Sequence, residues 1–289
     1  MNDSQFFIIG NPRSGTTIFR LMLHAHPEIC VPPECGFALW LYNEHRNWCR
    51  RDGSLDAVIQ DILASRKMDT WEIDAVQLIA FVKQHKPDNY QEICNLVYRF
   101  YGQSIGKKIK IWGDKNNFYI DYIPTMKALF PACKLILITR DGRDVACSYR
   151  ELNRKKITSD YAPVLPDTID DIAREWSDNN NKALSFFNNI NQDDVFIVRY
   201  EDLILNTRAT LAGVTNFLGL DFSTNMLDYH KDESEPIEFL QWKHKVRERL
   251  DSSHIGRYKQ FLSQADVRNF ENIAGSMLQK LHYPLNDLK

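Results

Sequence analysis

Between Gly10 and Thr17 the chain reads Gly10-Asn11-Pro12-Arg13-Ser14-Gly15-Thr16-Thr17, residue types whose spacing suits the capture of an oxyanion. Gly10 and Gly15 bound a tight loop. Arg13 brings a planar cation able to grip two oxygens of a phosphate or sulfate, and Ser14, Thr16 and Thr17 bring hydroxyls. Four apolar residues, Phe6 to Ile9, read as a strand buried on both faces, and Ile18, Leu21, Met22 and Ala25 recur behind the loop at helical spacing. Strand, loop and helix in that order aim several backbone N–H groups and a helix N-terminus at one anion. Against the phosphate-binding template G-x-x-x-x-G-K-[ST] the segment fits everywhere except the lysine, where Thr16 stands, and the missing cation reappears as Arg13.

A second anion position is written into Leu135-Ile136-Leu137-Ile138-Thr139, the clearest buried strand in the chain, which ends in Arg140-Asp141-Gly142-Arg143-Asp144. In nucleotide hydrolases such a strand ends in an aspartate that helps hold Mg²⁺. Arg140 at that point repels a metal and attracts an anion, so a second phosphate is expected there. Ser148, two turns into the following helix, adds a hydroxyl. Asp114 is the one acid the pattern offers a metal, and the histidines are dispersed with no ligand spacing, so no metal centre is expected.

Three further residues stand at strand ends, where α/β proteins place chemistry. Glu34 follows the short strand Ile29-Cys30-Val31 and the stop Pro32-Pro33. Lys115 follows strand-like text from Lys108 to Trp112. Tyr200 follows Val195 to Val198, which reads as another buried strand, and offers a ring and a hydroxyl to a base or sugar. Near the C-terminus, the basic stretch Trp242 to Arg249 and then Ile255-Gly256-Arg257-Tyr258 could close over an anionic ligand.

These groups need a scaffold, and the remaining text supplies one. Helical periodicity runs from Ser54 to about Tyr101 with breaks at Asp69-Thr70 and Lys86-Pro87-Asp88, then over Tyr119–Phe130, Ile169–Phe187 and Thr207–Leu218, the last closed by Gly219. Ser263 and Asp266 make a capping-box pattern for a final helix. Strands alternating with helices predict an α/β fold, a single domain over 1–289 with a helical insertion at about 53–103. The 289 residues are 44% hydrophobic and 26% charged, and the net charge of −2 argues against nucleic acid as the main partner. No stretch reads as a transmembrane helix, Met1 leads directly into the first strand, and the six cysteines lack C-x-x-C spacing. The expectation is reduced thiols and a cytoplasmic location.

Taken together, the motifs resemble the sulfotransferases that use 3′-phosphoadenosine 5′-phosphosulfate (PAPS). Pro12-Arg13-Ser14-Gly15-Thr16-Thr17 resembles that family's 5′-phosphosulfate loop. Arg140 to Ser148 resembles its 3′-phosphate strand and helix, where an arginine and a serine eight residues later bind the 3′-phosphate. Arg199-Tyr200-Glu201-Asp202-Leu203 matches its strand-end tyrosine on the adenine side, and Ile255-Gly256-Arg257-Tyr258 is similar to the segment that closes on the cofactor. Pro33-Glu34 looks like the catalytic glutamate of the carbohydrate and protein-tyrosine branches, in place of the histidine of the cytosolic aryl branch. Lys115 sits where those branches carry a lysine on the bridging oxygen. Two departures stand out: Arg13 replaces the lysine of the aryl branch, and the C-terminal segment lacks Arg-Lys-Gly, leaving Arg257 and Arg247 as the candidates there.

The resemblance implies a three-layer α/β/α fold with a central parallel sheet, like that of phosphate-loop nucleotidases. It implies PAPS as donor, PAP as product, and a carbohydrate or other small-molecule hydroxyl as acceptor. Glu34 would be the base, Arg13 and Lys115 would stabilise charge, and Arg13, Ser14, Gly15, Thr16, Thr17, Arg140, Ser148, Tyr200 and Arg257 would bind the cofactor. Two alternatives stay beside it. A phosphate-loop small-molecule kinase needs a lysine at Thr16 and an acid at Arg140, and a non-catalytic PAP- or PAPS-binding protein has no use for Glu34, Arg13 and Lys115 together.

Overall fold

The computed structural model describes residues 4–155, 157, 159, 161–231, 234–236 and 249–286. Five strands, β1 (Ser4–Ile9), β2 (Ile29–Cys30), β3 (Ile111–Lys115), β4 (Lys134–Thr139) and β5 (Val195–Arg199), form one sheet in the order β2-β3-β1-β4-β5. β1 pairs with β3 in parallel from Ser4 opposite Ile111 to Ile8 opposite Lys115, and β2 pairs with β3 in parallel as well. Helices intervene between successive strands, so the α/β class with a central parallel sheet is the architecture the chain adopts.

By contact density the chain divides into two compact units. One comprises Met1–Ile8, Arg20–Leu135 and Ser223–Glu235, the other Ile9–Phe19, Ile136–Phe222 and Pro236–Lys289. In the first, Phe7 sits edge-on to Trp112 and Tyr119 and tilted against Phe130, all with ring centroids under 6 Å. Its helical stretch consists of Leu55–Leu63, Ala75–His85 and Tyr90–Ser104, capped in turn by Ser54, Asp74 and Asn89, whose side chains accept first-turn N–H groups. A single 3-10 turn, Met68–Trp71, fills the break expected at Asp69-Thr70. His24 and His26 accept the N–H groups of Val31 (3.0 Å) and Glu28 (3.1 Å), structural roles that occupy those ring nitrogens.

The second unit holds the helices Gly142–Asn153, Ile169–Phe187, Thr207–Leu218 and Gln264–Lys280. Gly219 ends the third at φ 80°, a left-handed position that a glycine takes without strain. Ser263 and Asp266 form the capping box anticipated for the last. Trp176 is fully buried, tilted against Phe270, and donates to the Arg140 carbonyl (3.1 Å).

Two expectations need correcting and a third extending. β3 begins at Ile111 rather than Lys108 and runs through Lys115, because its pairing with β1 continues across Gly113. That glycine is what lets Phe6 lie over the strand: a Cβ there would meet the Phe6 ring at 2.3 Å. β5 is half-exposed rather than buried, with Ile197 46% accessible, as befits a strand at the end of the sheet order. Tyr200 directly follows β5, as expected, but it also opens a helix, Tyr200–Leu205, that the sequence pattern did not announce. Of the basic stretch Trp242 to Arg249, residues 242–248, and Arg247 with them, lie outside the described residues.

Gly113→Ala and Gly219→Ala separate packing from backbone strain. The first forces a methyl into an immobile ring and is expected to destabilise by about 3 kcal/mol. The second has nothing within 4 Å of the added methyl and is expected to lose about 1 kcal/mol from the left-handed conformation alone. Urea midpoints at unchanged slope measure both.

Candidate active site

In the second unit, the loop Gly10–Gly15 is built for close approach. A Cβ on Gly10 would sit 2.8 Å from Ile138, and one on Gly15 would sit 2.4 Å from the Tyr200 ring. Arg13 (φ 66°) and Gly15 (φ 88°) both take left-handed conformations, so the loop stores strain at the residue that carries its charge. A polar network fixes it from the side. The Asn11 amide donates to the Tyr149 hydroxyl (3.0 Å), the Asn179 amide donates to the Asn11 side-chain oxygen (2.8 Å), and Tyr149 donates to Glu175 (2.6 Å). The helix Thr16–His24 opens directly behind, with no acid in its first turn.

The cations gather on this loop. Arg13 Nε donates to Ser148 Oγ (3.0 Å). Arg140 donates to the Arg13 carbonyl (3.0 Å) and to the His254 carbonyl (2.7 Å), and lies over the Tyr200 ring at 4.5 Å. Burial, and next the nearby Arg140 charge, lowers the Arg13 pKa below the ordinary arginine value. Ser14 Oγ and Arg140 Nε are buried without a hydrogen-bond partner. Two adjacent guanidinium groups and two orphaned polar atoms are a surface that a phosphate or sulfate dianion completes, and this is the fit a doubly phosphorylated nucleotide requires.

Arg13, Ser14, Gly15, Arg140, Ser148 and Tyr200 therefore come together through the contacts just given, with Thr16 and Thr17 opening the adjoining helix. Arg257 joins less directly. It is ion-paired with Glu151 (2.9 Å), while its neighbours Gly256 and Tyr258 donate their N–H groups to Asp144 (2.7 and 2.9 Å). Burial raises the Asp144 pKa. Nothing local marks Asn11, Tyr149, Asn179 or Asp144 as the supports of this loop and segment; each has a partner more than a hundred residues away.

Glu34 lies in the first unit. Glu34 is 6% exposed and ion-paired through both oxygens: Oε1 accepts from Lys115 Nζ, and Oε2 from Lys67 Nζ at 2.8 Å. Lys115, only 1% exposed, is the last residue of β3. Behind it, Asp114 is fully buried and accepts from the Tyr98 and Tyr119 hydroxyls and from the Lys115 N–H (2.7 Å). Burial pushes the Asp114 pKa up to about 7, against the pull of those donors. With three donors on its two oxygens, Asp114 is a hydrogen-bond hub and a poor choice for the metal role considered for it. Glu44, His45 and Asp61 do converge within 4.8 Å on the surface, a grouping the sequence spacing did not show, and His45 is already paired with Asp61.

A family model described as "Sulfotransferase family" matches residues 5–224. The chain is 27% identical over 277 residues to a Caenorhabditis briggsae protein assigned to the protein-tyrosine sulfotransferases, covering 93% of this chain and 85% of that one. It is 25% identical over 234 residues to Protein-tyrosine sulfotransferase 2 of Gallus gallus, covering 80% of this chain and 55% of that relative's length. Among solved structures, the sulfotransferase domain from the curacin biosynthetic pathway has a TM-score of 0.62 at 21% identity, covering 98% and 99% of the two chains. Mouse sulfotransferase SULT7A1 complexed with PAP has a TM-score of 0.53 at 14% identity, covering 98% and 85%. At those identities the structural likeness establishes the fold.

The position of Asp114 predicts a pH signature. Its folded pKa lies above that of an unfolded carboxylate, so the folded state holds the proton more tightly. The stability this adds is complete below about pH 4 and is lost as pH rises through about 7. Asp114→Asn is expected to flatten that decline, matching or exceeding the parent's melting temperature at pH 8 while gaining nothing at pH 4.5; melts across this range measure it.

Proposed function

The chain belongs to the sulfotransferase family, and on that footing we propose that it moves the sulfuryl group of PAPS to the phenolic hydroxyl of a tyrosine in a protein or peptide, releasing PAP. The observation that carries the donor half is the pairing of Arg13 with Arg140 beside the orphaned Ser14 hydroxyl, a cationic cradle in which neither arginine forms an ion pair among the described residues. In this reading Arg13, Ser14, Thr16, Thr17 and the Gly15 N–H hold the 5′-phosphosulfate, and Arg140 and Ser148 hold the 3′-phosphate. Tyr200 lies along the adenosine, and Arg257 is shared between Glu151 and the 3′ side. Residues 1–289 then act as one catalytic domain, with 53–103 as its insertion.

Bound PAPS supplies the sulfuryl group and a phosphate leaving group. The chain's own part is to position and to neutralise. Glu34 takes the phenol proton as the acceptor oxygen bonds to sulfur and the sulfur–oxygen bond to the phosphate breaks, general-base help worth on the order of a hundred- to ten-thousandfold. Lys115 and Arg13 meet the charge that builds on the departing oxygen, so the leaving group departs against fixed cations. The logic is that of phosphoryl transfer, where positioning and electrostatics carry most of the rate.

Two observations support a phenol over the sugar or aliphatic alcohol that the sequence favoured. The relatives are named for protein tyrosine. In the unit that holds Glu34, Trp40 stacks on Phe118 at 5.2 Å with Tyr122 edge-on to it. Gly36, two residues past Glu34, abuts both rings: a Cβ there would lie 2.5 Å from Phe118 and 2.7 Å from Trp40. Half-buried stacked rings suit an aromatic acceptor. Placement in a reducing compartment such as the cytoplasm belongs to the same proposal, supported by six free thiols. Among the described residues no helix is long and apolar enough to cross a membrane.

The test is transfer from radiolabelled PAPS to tyrosine peptides, matched serine peptides and simple sugars. Tyrosine peptides are expected to be labelled, and Glu34→Gln to lose about a hundredfold or more in kcat while binding PAP unchanged. Arg140→Ala is expected to weaken PAP about tenfold to a hundredfold, the worth of a charge-assisted hydrogen bond, while leaving AMP nearly untouched. Uptake of ATP as tight as that of PAPS overturns the donor assignment, and labelling of sugars alone replaces the acceptor.

A further inference from the structure

We propose that Lys67, in the helical insertion, is the positioning residue of Glu34: it fixes one carboxylate oxygen so that the other is left to exchange between Lys115 and the acceptor's proton. This rests on Glu34 being the base. Lys67 stands 33 residues from Glu34 in a break between two helices, where a solvated lysine is the ordinary expectation. It is instead only 13% exposed, with its ammonium 2.8 Å from Glu34 Oε2.

Its backbone shows what holds it there. Lys67 is left-handed (φ 69°, ψ 4°), a conformation that disfavours a side chain. The turn over-determines it: the Lys67 carbonyl accepts from both the Thr70 hydroxyl (2.7 Å) and the Thr70 N–H (3.1 Å), and Met68 N donates to the Ser65 carbonyl (3.0 Å). One turn on, the Trp71 indole donates to the Pro33 carbonyl (2.9 Å), fastening this turn to the residue before Glu34. A strained residue pinned on both sides, with its charge delivered to a buried carboxylate, is strain tied to a task.

Among the described residues, the charged and titratable groups around the Glu34–Cys35 corner are Lys67 and Asp69 of the insertion, Lys115 and Asp114 of β3, the phenols of Tyr90, Tyr98 and Tyr119, and Cys35 itself. Two ammonium groups on one carboxylate hold it ionised. When Lys115 turns to the leaving oxygen, one cation leaves Glu34 and its affinity for a proton rises as the acceptor's proton arrives. Lys67 remains and keeps the carboxylate from swinging after Lys115.

Lys67→Gly removes the ammonium while suiting the left-handed turn, so the variant keeps the backbone, and Lys67→Arg keeps the charge. Lys67→Gly is expected to bind PAP with unchanged Kd and to lose about tenfold to a hundredfold in kcat. The acid limb of its kcat/KM profile is expected to move to higher pH, with Lys67→Arg restoring both. A carbon-13 NMR titration of the Glu34 carboxyl in the ligand-free protein reads the same contact without activity, and its midpoint is expected to rise in Lys67→Gly. An unmoved midpoint, or a loss of PAP affinity in step with kcat, overturns the proposal. A parent protein that transfers nothing from PAPS sinks the functional reading instead, and the titration still decides the role of Lys67.

Discussion

Two like charges share one loop, and much of the second unit is arranged around that repulsion. Arg13 and Arg140 are joined through a main-chain carbonyl, and neither forms an ion pair among the described residues. Placing buried cations together costs free energy unless something offsets it. Here neutral groups do so in part: the His254 and Arg13 carbonyls, the Ser148 hydroxyl and the face of Tyr200. What they leave over is a field that favours an anion, held by a loop in which one of two left-handed residues is the cation itself.

The run Arg140 to Asp144 shows how that field is protected. Five residues in a row are charged or glycine, and the fold gives each charge a different duty. Asp141 caps the helix Gly142–Asn153 and pairs with Arg143 (2.7 Å). Arg143 also reaches Glu271 (2.5 Å) and the Pro284 carbonyl (2.9 Å), and lies over the Tyr258 ring. Asp144 holds the main chain of Gly256 and Tyr258. Each acid within this run thereby has its hydrogen bonds or ion pair elsewhere; the Asp144 carboxylate still feels the Arg140 charge, but Arg140 forms no ion pair among the described residues. An acid left uncommitted beside it would have quenched the site.

That division also marks where sequence reading succeeds and stops. The loop, Arg140 and Ser148 were legible because each follows a buried strand at a fixed offset, and the helices Ile169–Phe187 and Thr207–Leu218 because their apolar period is unbroken and their ends are signalled. Lys67 was not legible: nothing local distinguishes it from a surface lysine, and its meaning comes from a turn that folding brings to Pro33. The helix at Tyr200 was hidden because the apolar text of β5 runs straight into it, with no cap residue at Arg199. The start of β3 was misplaced because Lys108 and Lys110 lie in apolar alternation, whereas pairing with β1 decides where the strand begins.

The two carboxylates at the end of β3 and β2 complete the argument, because similar side chains are driven to opposite states by their surroundings. Asp114 accepts from two phenol hydroxyls and a main-chain amide, and burial together with the Glu34 charge pushes its pKa up to about 7. Glu34, nearly as buried, is instead ion-paired with two ammonium groups, which favour the charged form of a carboxylate. Splitting a close pair of acids in this way is how one fold keeps a base available beside a neutral neighbour. Were Asp114 equally ionised, Lys115 would sit between two anions, and its partner would no longer be fixed. Tyr98, which donates to Asp114, is itself stacked on Trp112 with ring centroids 3.9 Å apart, so the fully buried Asp114 carboxylate is held by a phenol that packing fixes in place.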